Sequence, residues 1–470
     1  MQGKTLKKVK NLALGGMIMY KMSDKNQIEI DFGLPFYGRL DPNNRWIELA
    51  KEIPWDEFEH EYAEHFTHKT GSPAKNFRIA LGALLIQKKL GTTDRETVKQ
   101  IMENPYLQYF LGYQDYVITQ PFDPSMMVHF RMKISEETVS KINEEIFLKK
   151  NEIAEEGVTN KGTVIVDATC APQDIRYPND ASLLNEARIK LEVMIAILVA
   201  YLVEIGVHKK MPRTYKNQAY KFFLGFTKGK NRNKTIRKVL KKLLSYVERD
   251  IRYIDVILEE LGQHSLEKAG LSHKQIEELG TIRKLAKQQS EMLVEKKHHV
   301  DNRIVSISQP YVRPIVRNKS RSKTEFGAKI NIAIINGYAT IDTLSWDSFN
   351  EGTTLIDTIE RYYNKYGYYP EVVLADNIYK TKANKAFCKE HSIRFTGNKT
   401  NKEPILKENE KKSYIQDSKD RQVIEGLFGT GKRRYSLNLI MTKRQDTSET
   451  SIALEILALN LGKLLRTKIA

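Results

Sequence analysis

The chain has 470 residues, of which 76 are Lys or Arg and 58 are Asp or Glu, giving a formal net charge of +18 with 41% hydrophobic residues. That is enough apolar material for a sizeable core, and roughly 100–200 residues per domain allows two to four domains. With 29% charged and 9% aromatic residues, the composition argues against disorder along most of the chain and describes a soluble, globular, basic protein.

Lys4, Lys7, Lys8 and Lys10 open the sequence, but the apolar stretch behind them is short, broken by Gly15 and Gly16, and followed by no small-residue cleavage site. It does not read as a signal peptide. Residues 1–30 read as a basic extension, with Met17, Met19 and Met22 as further candidate starts. From Pro73 to Phe147 the texture is helical: Phe77, Ala80, Leu81, Leu84 and Leu85 recur at helical spacing, then Val98, Ile101 and Met102. Asn104-Pro105 and Pro121-Phe-Asp-Pro124 punctuate the series. Residues 31–155 are expected to form an all-α domain resembling a helix-turn-helix, with DNA binding as its role; compact bundles without a DNA role look the same.

Thr163-Val-Ile-Val reads as a short strand ending at Asp167, followed by a loop through Pro172 and Pro178. Leu183 to His299 is helical and highly charged. Its longest apolar run, Val193 to Val203, is bounded by Glu192 and Glu204. It is shorter than the roughly 18 residues that span a bilayer and reads as a buried helix. Strand texture returns at 303–308, 328–335, 338–344 and 372–375, with Gly337 where a hairpin would turn and an amphipathic helix over 353–366. A helix over 382–390 leads to a strand at 393–396; 399–420 is polar and reads as a mobile loop; 452–465 is an apolar-periodic helix. The order predicts an α/β fold with a mixed sheet, interrupted by a long helical insertion.

The charge is concentrated. Between His208 and Lys242 stand thirteen Lys and Arg and no acid, including Lys209, Lys228, Lys230, Arg232, Lys234, Arg237, Lys238, Lys241 and Lys242, which leaves only +5 for the rest of the chain. A solvated helix face normally mixes signs. A single-sign block interleaved with Tyr215, Tyr220, Phe222, Phe223 and Phe226 suits nucleic acid, against a plain basic surface or anionic lipid.

Asp167 and Asp376 both follow short apolar strands, where functional groups collect in open α/β sheets. If those strands are neighbours, both carboxylates come within reach of one hard divalent cation. Glu425 is the candidate third acid, with Arg421 four residues earlier on the same helical face and Lys432 seven later. Taken singly, an Asp after a strand is more often a turn or cap residue.

Three motifs mislead. Gly426-x4-Gly431-Lys432 imitates a phosphate loop, but Arg433 replaces its hydroxyl residue and no strand precedes it. His60 and His65 are five apart rather than four, which disfavours zinc, and His298-His299 reads as the end of a charged helix. Cys170 and Cys388 form neither a disulfide framework nor a metal knuckle, which suits the cytoplasm.

Asp167-Ala-Thr-Cys-Ala-Pro-Gln-Asp-Ile-Arg-Tyr-Pro-Asn-Asp180, Glu325-Phe-Gly-Ala-Lys329, Ala375-Asp376-Asn-Ile-Tyr379 and Ile424-Glu425-Gly-Leu-Phe-Gly-Thr-Gly-Lys-Arg-Arg-Tyr435 together resemble bacterial insertion-sequence transposases of the DDE type, in the branch numbered four and five. The resemblance covers roughly residues 30–465. It implies a ribonuclease-H-like catalytic domain over 156–445, with a basic helical insertion at about 181–300 and a C-terminal helix over 446–470. It further implies that Asp167, Asp376 and Glu425 hold Mg²⁺ or Mn²⁺, two ions, and that the enzyme binds terminal inverted repeats, cuts double-stranded DNA and joins the freed 3′-hydroxyl to target DNA. A homodimer in the synaptic complex follows from the same resemblance; a place in the bacterial cytoplasm at the nucleoid and no membrane partner are expected beside it. The family signature Tyr-x2-Arg-x3-Glu-x6-Lys is met by Arg421, Glu425 and Lys432, residues associated with phosphate contacts, and Arg433 and Arg434 extend that basic end. The Tyr position is Ser418, which cannot stack on a base; Tyr414 is four residues away. A ribonuclease-H-like nuclease or resolvase without strand transfer, and an inactive DNA-binding protein, are the alternatives.

Overall fold

A computed structural model describes residues 35–66, 73–148, 160–207, 210–229, 233–262, 264–316, 324–396 and 408–469. The basic extension 1–30, Lys209, Lys230 and Arg232 lie outside the described residues, as do the side chains of Lys234 and Tyr414.

Among the described residues, seven α-helices precede the first strand: α1 (Arg45–Glu52), α2 (Trp55–Ala63), α3 (Phe77–Leu90), α4 (Asp94–Glu103), α5 (Pro105–Phe110), α6 (Met126–Lys133) and α7 (Glu136–Phe147). Local chemistry starts most of them. The side chains of Asn44, Asn76, Thr93, Asn104 and Ser135 accept hydrogen bonds from first-turn backbone N–H groups, satisfying donors that a helix leaves unpaired. Gly91, in the left-handed conformation (φ 66°), ends α3.

The sheet consists of β1 (Thr163–Pro172), β2 (Arg313–Val316), β3 (Thr324–Ile335), β4 (Tyr338–Ser345), β5 (Val372–Ala375) and β6 (Arg394–Thr396). Long β3 pairs antiparallel with β1 along one edge, and with β2 and then β4 along the other. On its far side β1 pairs parallel with β5, and β5 parallel with β6. The β3–β4 hairpin turns at Asn336 and Gly337, both at positive φ, the backbone an Asn-Gly turn favours. The expectation that β1 ends at Asp167 is corrected: its ladder with β3 continues to Pro172↔Gly327. The 303–308 segment forms no strand either. Ile304 and Ile307 bury in the core of the helical insertion and Val305 in that of the sheet, while the Ile304 N–H donates to Gln288 instead of to a ladder (3.0 Å).

Between β1 and β2 runs the insertion: α8 (Asp180–Glu204), α9 (Lys216–Thr227), α10 (Asn233–Leu261) and α11 (His273–Glu295), with a core of its own around Leu191, Leu198, Leu243, Ile254 and Ile282. The apolar run of α8 is only partly buried, since Val193 and Val203 stay exposed. No helix among the described residues is long and apolar enough to cross a membrane. His298 and His299 lie beyond α11, whose end is set by left-handed Lys296.

Beyond the hairpin come α12 (Leu355–Tyr366), α13 (Lys382–Glu390), α14 (Glu408–Arg434) and α15 (Gln445–Ile469). One sheet face packs on α12 and α13 through Val164, Val166, Val373, Ile359 and Cys388; the other packs on α14 and α15 through Ile165, Leu374, Ile424, Phe428 and Ile456. The loop expected over 399–420 is corrected from residue 408 on, which opens α14. Ser413, Ile415, Gln416 and Lys419 are exposed there, and the helix is anchored where Asp417 pairs with Arg394 of β6. Buried over its middle, residues 450–462, α15 lies in two cores: Leu454, Leu457 and Leu461 join the N-terminal helices, while Ile452 and Ile456 join the sheet.

At Gly327 the β3 backbone crosses β1 so closely that a Cβ would stand 2.1 Å from the Ala171 carbonyl oxygen. Gly327→Ala is therefore expected to cost about 3 kcal/mol or more of stability through overpacking against backbone. A urea midpoint unchanged from wild type would contradict this.

Candidate active site

The parallel ladder between β1 and β5 ends at Val166↔Ala375, so Asp167 and Asp376 are the residues that follow on the two adjacent strands. Asp167 remains inside β1, opposite Ile332 of β3, and shares the parity of Ile165, which faces α14. Asp376 leaves the sheet as the N-cap of a 3-10 turn, Asn377–Tyr379, and accepts the Asn377 N–H at 2.7 Å.

Helix α14 lies over the same face. Ile424 and Phe428 pack into the sheet core, which brings Arg421 and Glu425 to the acids. Arg421 spans them: its guanidinium is 4.0 Å from Asp376 and 3.6 Å from Glu425. The guanidinium is mostly buried, with 14% of the side chain exposed, whereas Asp376 and Glu425 are 46% and 59% exposed. All three predicted acids thus converge on one region, with a cation of the protein's own between two of them.

Burial pushes the Asp167 carboxyl up to about 6, partly offset by the hydrogen bond it accepts from the Ala168 N–H; the charges of Glu351 and Asp376 raise it further and Arg421 lowers it. Beneath lies a polar network. The buried Tyr379 hydroxyl donates to Asn331 Oδ1 at 2.5 Å, and Asn331 Nδ2 donates to Asp342 and Thr354, each at 3.0 Å. Burial raises the Tyr379 phenol, and so do Glu351, Asp167, Asp342 and Asp376.

The donors here are carboxylate oxygens, the chemistry that hard divalent cations take. Among the described residues no three His, Cys, Asp or Glu side chains stand close enough to form a finished metal cage. Asp167, Asp376 and Glu425 nevertheless fit a divalent cation in kind: one carboxylate is burdened by its own ionisation, and two exposed ones share a single guanidinium. Glu351 was missed by sequence reasoning, and Lys329, bonded to it at 2.9 Å, entered only as the end of a motif and not as a site residue. Glu351 in the first turn before a helix reads as an ordinary dipole-favoured acid, and only the tertiary fold brings it near Asp167.

The remaining predicted residues fall elsewhere. Lys432, Arg433 and Arg434 form the last turn of α14, Arg433 and Arg434 being exposed. Arg237, Lys238, Lys241 and Lys242 are exposed on α10, whose other side buries Val239, Leu243 and Val247; Lys228 caps α9. Helix α10 packs on α8 and α11, and α9 on α8 and α10. Gly426 to Lys432 is continuous helix, which removes the phosphate-loop alternative. His60 pairs with Glu64 at 3.5 Å on an exposed face, and both cysteines are buried and not joined in a disulfide.

The raised carboxyl of Asp167 has a stability consequence. In the unfolded chain it titrates near its ordinary value of 3.8. The folded state therefore takes up a proton between about pH 4 and 6, and the penalty of holding the ion buried is complete above about pH 6. Asp167→Asn should stabilise the cation-free protein at pH 7 by up to about 3 kcal/mol, with the gain gone near pH 4. Urea denaturation in EDTA at both pH values checks it, and a gain that grows on acidification would contradict it.

Comparison with known proteins matches these regions. A family model described as "Transposase DDE domain" matches residues 373–462, which include Asp376, Arg421 and Glu425. A second, "Transposase domain (DUF772)", matches residues 34–133, the span of the N-terminal helices. An uncharacterized protein, ORF8 in the nfe locus of Rhizobium meliloti, is 30% identical over 159 residues, covering 32% of this chain and 75% of that protein. No solved structure matches the chain. With two transposase models matched in order, one of them over two of the three acids, the chain belongs to the insertion-sequence transposases of the DDE type, in the branch numbered four and five.

Proposed function

We propose that this transposase binds the terminal inverted repeats of its element, cleaves the DNA there and transfers the freed strands to target DNA. The observation that carries the reading is the juxtaposition of Asp167 and Asp376 at the end of the β1–β5 ladder, with Glu425 brought over them by α14. The strand order, an antiparallel run of β4, β3 and β1 continued by parallel β5 and β6, supports a ribonuclease-H-like core. In this reading residues 31–155 form a helical DNA-binding domain, 156–445 the catalytic domain with its insertion at about 181–300, and 446–470 the C-terminal helix.

Transposases of this family use divalent metal ions. Asp167, Asp376 and Glu425 would hold them, Mg²⁺ or Mn²⁺ and two in number, and bound there they would activate the attacking hydroxyl and offset charge on the leaving 3′-oxygen. The chain's own residues do the rest. Arg421 keeps Asp376 and Glu425 from repelling one another, and it can turn to a phosphate once their charge is met otherwise. Lys432, Arg433 and Arg434 extend the positive line along α14 for the DNA backbone. Ser418, at the family's tyrosine position, donates a hydrogen bond without stacking on a base.

The exposed face of α10 is assigned to phosphate, where counterion release supplies affinity. Lys228 and, by sequence, Lys230, Arg232 and Lys234 continue it. Synapsis of two DNA ends calls for a homodimer, and the cytoplasm, at the nucleoid, is where the substrate lies.

Asp167→Asn and Asp376→Asn should each abolish Mg²⁺-dependent cleavage of DNA carrying the sequences that flank the gene, while binding of that DNA persists. Full cleavage by either variant would defeat the assignment. Joined products in the wild-type reaction are expected; hydrolysis alone would point to a nuclease or resolvase. Neutralising Arg237, Lys238, Lys241 and Lys242 together should flatten the dependence of log K on log salt by up to about 3.6. An unchanged slope would place the DNA elsewhere.

A further inference from the structure

Two of the motifs read from the sequence meet at the far end of β1. Ile175-Arg-Tyr-Pro-Asn-Asp180 belongs to the segment between β1 and the first turn of α8, and Phe326 to β3. Phe326 shares the parity of Ala328 and Ile330, so it points to the α14 face of the sheet, the face of Asp167. Tyr177 meets it edge to face, with ring centroids 5.7 Å apart and planes at 89°. The loop is pinned on both sides of this tyrosine. Upstream, the Gln173 N–H donates to the Phe326 carbonyl (2.8 Å) and the Asp174 N–H to the Ile440 carbonyl (2.9 Å), while the Ile440 N–H donates to Pro172 (2.8 Å). Gln309 Nε2 donates to the Asp174 carbonyl at 3.1 Å. Downstream, Pro178 favours extended backbone at Tyr177, Asn179 caps α8, and Asp180 accepts from Gln289 and Arg303 at 2.9 and 2.7 Å.

On this fixed backbone Tyr177 is 76% exposed. A lone surface aromatic is ordinary, but a ring held in water by a loop tied at both ends has little freedom left to lose on binding. Its surroundings say what it binds. Arg176 and Lys443, both exposed, line one cleft with Tyr177, in which Asp174 and Glu186 are the acids. The cleft lies at the end of the two elements that carry the candidate site. β1 runs five residues from Asp167 to Pro172, about 17 Å at 3.3 Å per residue. α14 runs to the same end: Arg433 and Arg434 are exposed in its last turn, and six residues later Ile440 is bonded to Pro172. The exposed cations Arg433, Arg434, Lys443 and Arg176 thus accompany Tyr177 at the end of the sheet to which β1 and α14 lead from the carboxylates. An aromatic ring among cations is the pairing that takes a nucleobase together with its phosphates.

We propose that Tyr177 inserts into a base step of the bound DNA roughly 15–20 Å from the cleaved phosphate, about five nucleotides along the strand, with Arg176 and Lys443 on the adjoining phosphates. This rests on the end-binding reading above and deepens it by naming a side chain that touches a base. In a duplex a base face is reached only by parting the stack, so Tyr177 acts as a wedge and Phe326 props its ring. Entry is easiest at the flexible TA and CA/TG steps, each of which holds a thymine. Tyr177 is a binding residue that sets the register of the DNA over the carboxylates.

The test is binding of the full chain, in EDTA, to duplex DNA carrying the sequences that flank the gene, with permanganate oxidation reporting unstacked thymines. Wild type should make a thymine hypersensitive at the wedged step. Tyr177→Ala should lose that signal and bind about tenfold more weakly, with an unchanged salt slope because no charge is removed. Tyr177→Trp should keep both signal and affinity, and Arg176→Gln should lower the slope by about 0.9. Equal binding by Tyr177→Ala, or a thymine pattern that Tyr177→Ala leaves unchanged, would overturn the proposal while the end-binding reading stands. A wild-type chain that prefers this DNA no more than unrelated DNA would bring down that reading and the proposal with it. Unchanged DNA binding by Tyr177→Ala with altered sedimentation of the free chain would assign the ring to a second copy of the protein, which also overturns the proposal.

Discussion

Parallel pairing of Val166 with Ala375 is the constraint on which the site depends. It makes Asp167 and Asp376 neighbours although 209 positions separate them in sequence. It also fixes their faces, since a slip of one residue in β1 would turn Asp167 away from α14. β5 is four residues long and fully buried, so it leaves the sheet at once and frees Asp376 to cap the following turn. Helix α14 then has one way to lie, with Ile424 and Phe428 inward, and that choice sets Arg421 and Glu425 over the two aspartates.

The charge balance of the site follows from this packing. Among the described residues, Lys329 meets Glu351, and Arg421 lies beside both Asp376 and Glu425. Arg421 is a compromise partner at 3.6–4.0 Å, longer than a close charge-assisted hydrogen bond. The transposase family to which the chain belongs generally uses divalent metal ions.

A second constraint ties the N-terminal helices to this core. Buried over residues 450–462, α15 shares side chains with both, and polar contacts set its angle. Asn460 and Asn143 both donate to the Ala339 carbonyl of β4 (2.7 and 2.9 Å), and Lys88 pairs with buried Glu455 at 2.6 Å. Any DNA held by the N-terminal helices is consequently held relative to the acids by a rigid element and not by a linker.

Much of this was legible in the chain. The period of β-branched residues gave the strands 372–375 and the 338–344 hairpin arm nearly to the residue, because Val, Ile and Asn-Gly carry strong local signals. The spacing of Arg421 and Glu425 announced a shared helical face. The reading failed where tertiary contacts override local texture: 303–308 has strand residues but docks in two cores, and 408–420 is helical although its sequence shows little apolar period. Glu351 and Lys329 could not be found in this way, since their meeting depends on β3 register and on the packing of two turns. The most direct measurement of the central claim is anomalous diffraction at the manganese edge from crystals grown with Mn²⁺ and DNA. The account predicts peaks within ligand distance of Asp167, Asp376 and Glu425; a structure with Mn²⁺ bound elsewhere and none among these carboxylates would contradict it.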